Sequence, residues 1–132
     1  MSSELGNERS ARLMTAALDI CLLAFILEKE RYGYELISGL EAEGIRFVKE
    51  GSIYPLLRKM EKDGLIAARL APSQDGPARK YYKMLPKGKE KLLAWSESFL
   101  EFTGKVSGIL ERRLNIEDAR SESAGETDRN LA

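Results

Sequence analysis

The stretch GSIYPLLRKMEKDGL, residues 51 to 65, decides how the chain reads. Ile53, Leu56, Leu57 and Met60 fall at i, i+3, i+4 and i+7, the spacing of one helical stripe, and Gly64 supplies a stop. At about 100° per residue, Tyr54, Pro55, Arg58, Lys59 and Lys62 occupy the opposite arc. Pro55 is expected in the first turn, where backbone N–H groups lack intrahelical partners, with Ser52 just ahead as the N-cap. The wet side of a short helix thus carries a phenol, a rigid ring and three cations.

The pattern extends outward in both directions. Residues 1–12 are polar and read as a flexible arm. Residues 13–29 form a helix apolar almost all round, expected to be sandwiched between other elements. A turn at Gly33 and a second helix, Tyr34 to Glu43, follow, with Gly44 as its stop and IRFV as an extended link. Beyond Gly64, LIAARL and RKYYKM are strands joined by APSQDGPA, a hairpin loop, with Tyr81 and Tyr82 as hairpin packing. Pro86 opens a last helix. Leu92, Trp95, Phe99, Phe102, Val106 and Ile109 repeat along it at alternating spacings of three and four, and the stripe lapses at Arg113. The tail 115–132 is polar and acidic, so disorder is expected there.

Composition closes off several classes of function. The chain of 132 residues is one domain's worth of material, 43% hydrophobic and 32% charged. It has no histidine and one cysteine, Cys21, set among apolar neighbours and read as core. No disulfide within the chain, no metal site, no Gly-rich phosphate loop and no cofactor is expected, nor an enzyme. Leu13 to Leu27 is shorter than the roughly 20 residues of a membrane crossing and is interrupted by Thr15 and Asp19, and no leader pattern precedes it; a cytoplasmic protein is expected. Net charge is zero, but residues 46–91 hold 12 Lys and Arg against 5 Asp and Glu, a local charge of +7. The remainder carries −7. A basic middle between acidic ends suits a polyanionic partner.

Two short helices followed by a hairpin is the order of a winged helix-turn-helix, mainly α with a small β-hairpin. In that unit the second helix enters the DNA major groove, N-terminal residues foremost. Tyr54 offers reach with few rotatable bonds, Pro55 a stiff first turn, and Arg58 and Lys59 lie one turn on, placed for guanine edges or phosphates. Arg79 and Lys80 follow a Gly-Pro turn at the expected wing tip. The competing reading is a solvated helix face and a hairpin charged for solubility. Lys62, Lys87, Lys89 and Lys91 read as a general positive field.

YGYELI, GSIYPLLRKMEKDGLI and GPARKYYKMLPKG together resemble the consecutive signatures of the PadR family of bacterial transcriptional regulators, over about residues 16 to 95. The resemblance implies a winged-helix domain (residues 13–85) and a dimerisation helix (86–114), usually in a repressor released from its operator by a small molecule. It places Ser52, Tyr54, Pro55, Arg58 and Lys59, with Arg79 and Lys80 of the wing, at double-stranded DNA. Ser52 stands where the family has a threonine and keeps the hydroxyl; Leu85 stands where another threonine would cap the last helix, which leaves that helix start open.

The aromatic-rich stripe of the last helix can pack on the first helix or pair with a second copy, and its extent favours a homodimer with a near-palindromic operator. Trp95 is then an interface anchor or the wall of a pocket for a small apolar or aromatic effector, the latter resting on the resemblance. The alternative function is a winged-helix module that binds a protein partner and no DNA.

Overall fold

The structure, a computed structural model, describes residues 8–46 and 48–114. Its elements are α1 (Glu8–Glu28), β1 (Arg31–Tyr32), α2 (Gly33–Ala42), α3 (Glu50–Lys62), β2 (Ile66–Ser73), β3 (Gly76–Met84) and α4 (Pro86–Leu114). The three strands form one antiparallel sheet in the order β1-β3-β2. This is the expected winged helix-turn-helix with one strand added: Arg31 and Tyr32 pair with Tyr82 and Tyr81 where a turn was expected. Two residues are too short to show the alternation by which strands are read from sequence.

The core joins one face of each helix to one face of the sheet. Leu22, Leu23 and Ile26 of α1, Leu36 and Leu40 of α2, Ile53 and Leu57 of α3, and Ile66 of β2 have almost no exposed surface. Tyr82 and Leu92 join them from β3 and α4, and Cys21 packs at the margin as expected. Gly44 and Gly64 hold φ of 88° and 78°, the left-handed conformation that ends α2 and α3 where the sequence placed their stops.

α1 departs from expectation twice. It starts at Glu8, taking in residues 8–12 of the supposed arm, with Arg12 paired to Glu8 one turn away at 3.4 Å. It is also covered on one face only. Ala17, Leu18, Leu22, Leu23 and Ile26 are buried, while Leu13 is 69% exposed and Leu27 42%. By length and composition alone this helix could cross a membrane, but its inner face forms part of the core. Residues 1–7 and the acidic tail 115–132 lie outside the described residues.

The hairpin is longer and its turn tighter than the sequence suggested. Pairing runs from Ile66 with Met84 to Ser73 with Gly76, with a bulge between Ala71 and Ser73, so only Gln74 and Asp75 make the turn. Leu85 then takes the cap position of α4. Its N–H donates to the Leu65 carbonyl (3.0 Å) and its carbonyl accepts from Lys89 N–H (3.1 Å). Backbone alone anchors this start, so the missing threonine costs the helix no residue: α4 begins at Pro86. The glycine at 88 seats that first turn, since a Cβ there would overlap the Leu65 carbonyl.

The chain divides after Ser96, inside α4, into two compact units. Leu92, expected in the dimer stripe, is instead buried in the winged-helix core. Trp95 is 36% exposed. In the second unit Phe102, Val106 and Ile109 of the expected stripe are exposed and Phe99 is half-buried. Leu100, Leu110 and Leu114 are exposed with them, and Leu93 before the division is too. Leu93, Leu100 and Leu114 are spaced in sevens, a second seam beside the first that one stripe reading overlooked.

Candidate nucleic-acid interface

The apolar stripe of α3 goes inward: Ile53, Leu57 and Met60 are buried and Leu56 packs at the core's edge. That commitment forces the opposite arc outward. Ser52, Tyr54, Pro55, Arg58, Lys59 and Lys62 are all exposed, as the periodicity required.

Local geometry corrects the start of the helix. Its N-cap is Lys49, with extended φ and ψ and no side-chain capping bond, and Ser52 already lies inside, its N–H donating to the Lys49 carbonyl at 2.9 Å. Pro55 is therefore past the first turn, and it has no N–H to offer the Gly51 carbonyl four residues back. Gly51 is exposed. The helix continues through the proline without a break.

Tyr54 is less free than a wet-face residue. The phenol end of its ring comes close to Gly33 at the start of α2: a Cβ added there would sit 2.7 Å from Cε1 and 2.8 Å from the hydroxyl. Gly33 is buried beneath it, and the ring keeps 37% of its surface exposed. Tyr54 thus braces the two helices of the helix-turn-helix, its hydroxyl end against Gly33 and part of its surface open. The glycine of YGYELI is the sequence signal for this contact, and periodicity does not reveal it.

Among the α3 cations, Arg58 makes no ion pair or side-chain hydrogen bond among the described residues. Lys59 approaches Asp63 at 3.7 Å, but Lys59 is 74% exposed, so the pair holds it loosely. Lys87 is occupied structurally, donating to the Asp63 carbonyl at the end of α3 (2.9 Å).

The wing differs from expectation in where its charge lies. Arg79 and Lys80 are not at the tip but within β3, paired with Ala71 and Leu70. Alternation along a strand sends them to opposite faces. Arg79 stacks over the Tyr32 ring at 4.6 Å, beside Tyr81, whose ring meets Tyr32 edge-on at 5.3 Å. On that same outer face Arg69 covers Tyr81 and forks onto Glu30, with contacts of 2.7 and 3.2 Å. Lys80 is on the core-side face, its ammonium 5.7 Å from the centre of the Tyr82 ring and 3.3 Å from the Glu61 carboxylate of α3. Burial pushes the Tyr82 phenol above its ordinary range; Lys80, Glu61, Tyr54 and Arg58 are all near enough to bear on it. Glu61 was not among the residues the sequence singled out, since one acid in a basic helix looks like ordinary surface charge.

This assembly is an exposed helix bearing unpaired and loosely paired cations, next to a hairpin that adds two more. No cluster able to hold a metal ion occurs among the described residues.

Comparison with known proteins places the chain in a family. The sequence model of the PadR-like family of transcriptional regulators matches residues 22–94. A PadR-like transcriptional regulator from Bacillus cereus is 41% identical, with a TM-score of 0.68 over 76% of this chain and 97% of its own. Transcriptional regulator Rv3488 of Mycobacterium tuberculosis is 31% identical over 70% of this chain and 85% of its own length. Bacillus subtilis PadR, solved in complex with operator DNA, is 28% identical, with a TM-score of 0.56 over 60% of this chain and 45% of that one. With the match covering more than half its length and running from the middle of α1 into α4, the chain belongs to the PadR-like family of transcriptional regulators.

Proposed function

We propose that the protein binds double-stranded operator DNA as a homodimer and acts in the cytoplasm as a repressor released by a small molecule. The observation that carries this reading is the outward arc of α3. Burying Ile53, Leu57 and Met60 leaves Arg58 exposed and without an ion partner, beside Lys59 and Lys62. Arg58 is the reader of base edges, since its guanidinium can bond a guanine at two points. Lys59, the Ser52 hydroxyl and the Tyr54 hydroxyl contact backbone or sugar, with Pro55 keeping the entering face narrow. Arg79 adds a phosphate contact from the wing.

A homodimer is supported by apolar surface that a single chain leaves uncovered: Leu13 and Leu27 on α1, and Phe102, Val106, Ile109 and the second leucine seam on α4. Two recognition helices related by a two-fold axis would then enter successive major grooves about 34 Å apart, on a near-palindromic site. Trp95, partly exposed where the two units of the chain meet in sequence, is the residue assigned to an apolar or aromatic effector. The relative from Bacillus subtilis supports DNA as the partner, having been solved with its operator.

The test is anisotropy titration with the duplex upstream of the protein's own gene, at several salt concentrations and with competitor DNA. Salt-sensitive binding that survives competitor is expected. Indifference to DNA, together with co-purification of one stoichiometric protein, would instead favour the protein-binding module.

A further inference from the structure

Resting on the DNA-binding reading above, we propose that Glu61 stands in for a DNA phosphate within the molecule. Its carboxylate holds the Lys80 ammonium against α3 and thereby lowers affinity for DNA of arbitrary sequence. The geometry is specific to this pair. Lys80 reaches across from β3 to Glu61 of α3 at 3.3 Å, its ammonium 5.7 Å from the centre of the buried Tyr82 ring. Glu61 is the one acid among residues 58–62, with Arg58, Lys59 and Lys62 around it on the same helix. Both partners keep about two-fifths of their side-chain surface exposed, 45% for Lys80 and 37% for Glu61, so the pair is open to exchange with an approaching anion.

Carboxylate and phosphate compete for the same three N–H donors of a lysine. For a phosphate to win, Glu61 must lose its cation while facing a polyanion, and like charges brought together oppose that step. The cost is the same for every sequence, because phosphates are the same everywhere. An acid at this position therefore subtracts equally from binding to every duplex and leaves the base preference of Arg58 unchanged, so that it sets how tightly DNA is held and not which sequence is chosen.

The plain alternative is that the pair only braces the wing against α3. The two differ in a quantity that a brace does not affect, the number of counterions released on binding. The experiment uses the full chain and a mixed-sequence duplex. Binding is followed by anisotropy across a range of salt for the wild type and for Glu61→Gln, Lys80→Gln and the double variant.

Glu61→Gln is expected to tighten binding to this duplex about 2- to 5-fold, the release of one exposed ion pair. It should also steepen the slope of log affinity against log salt by about 0.9, one added phosphate contact. Lys80→Gln alone should leave the slope within error of wild type, because the ammonium is already neutralised, and should abolish the gain in the double variant. Unchanged or weaker binding by Glu61→Gln overturns the assignment, as does a gain that persists without Lys80. A slope loss in Lys80→Gln, readable even if Glu61→Gln folds poorly, overturns it too. A wild type with no salt-sensitive affinity for any duplex overturns the DNA-binding reading along with it, whereas a wild type that binds and matches Glu61→Gln overturns only the role of Glu61.

Discussion

Replacing Gly33 by alanine should separate binding from folding. The new methyl would lie 2.7 Å from Cε1 of Tyr54, and ordinary contact begins near 3.4 Å, so the ring must retreat by at least 0.7 Å. It can do so, because 37% of its surface is open and the contact falls on the far end of a side chain with two torsions. The stability terms nearly cancel: overpacking costs about 1–3 kcal/mol at the low end for a movable ring, and alanine returns up to about 1 kcal/mol of helix propensity. The net change should stay within about 1 kcal/mol. The proposed DNA binding has no such compensation, since the displaced phenol lies on the arc of α3 assigned to the duplex. The expected loss is about 1–3 kcal/mol, or roughly 5- to 150-fold in affinity. Chemical denaturation and anisotropy on the same preparation give the two numbers. A cycle with Tyr54→Ala isolates the cause: without the ring, Gly33→Ala should have little further effect on affinity. Unchanged affinity in a folded Gly33→Ala protein, or an equal loss in the Tyr54→Ala background, would refute the reasoning.

Gly88→Ala should behave in the opposite way, because the obstacle is the Leu65 carbonyl and backbone cannot swing aside. With the Leu85–Leu65 hydrogen bond strained as well, a loss of about 1–3 kcal/mol in denaturant unfolding is expected, and wild-type stability would contradict the packing described. The hydrogen bond from Arg69 holds the Glu30 carboxyl below its ordinary range, against a smaller opposing effect of desolvation. Its stabilising effect is present above the unfolded carboxylate range and is lost as pH falls through the folded value. The melting-temperature gap between wild type and Glu30→Gln should therefore be small, screened by salt and gone in acid; a gap that widens on acidification would be inconsistent with this. Burial, aided by Asp19, pushes the Cys21 thiol up, so alkylation at neutral pH, followed by mass spectrometry, should be slower in the native protein than in urea. For the proposed homodimer, Phe102→Glu should shift sedimentation toward monomer while leaving helix content intact, and unaltered sedimentation would remove α4 from the proposed interface.

How far such predictions could have been made without coordinates differs from one residue to the next. Periodicity alone decides which side of α3 is wet, because four apolar residues at helical spacing can be buried together in only one way. The glycine stops after α2 and α3 were equally legible, each depending on local backbone chemistry, whereas the start of α4, left open by Leu85, falls at Pro86 through a backbone contact with Leu65. The start of α3 was not: Ser52 has the chemistry of a cap, but the helix begins earlier, at Glu50, and the cap position falls to Lys49. β1 was missed because its two residues are extended only through pairing with β3.

Local sequence therefore determined the order of elements, the buried stripe of α3 and the segregation of positive charge into the middle of the chain, all properties of neighbours along the backbone. Tertiary structure alone decided that Tyr54 rests on Gly33, that Arg79 stacks on Tyr32, that Leu92 belongs to the core and that Lys80 meets Glu61. Each of these depends on strand register or on the approach of elements distant in sequence. Hydrophobic alternation can say which face of a strand is buried, but the partner that a side chain meets is fixed only when the elements pack.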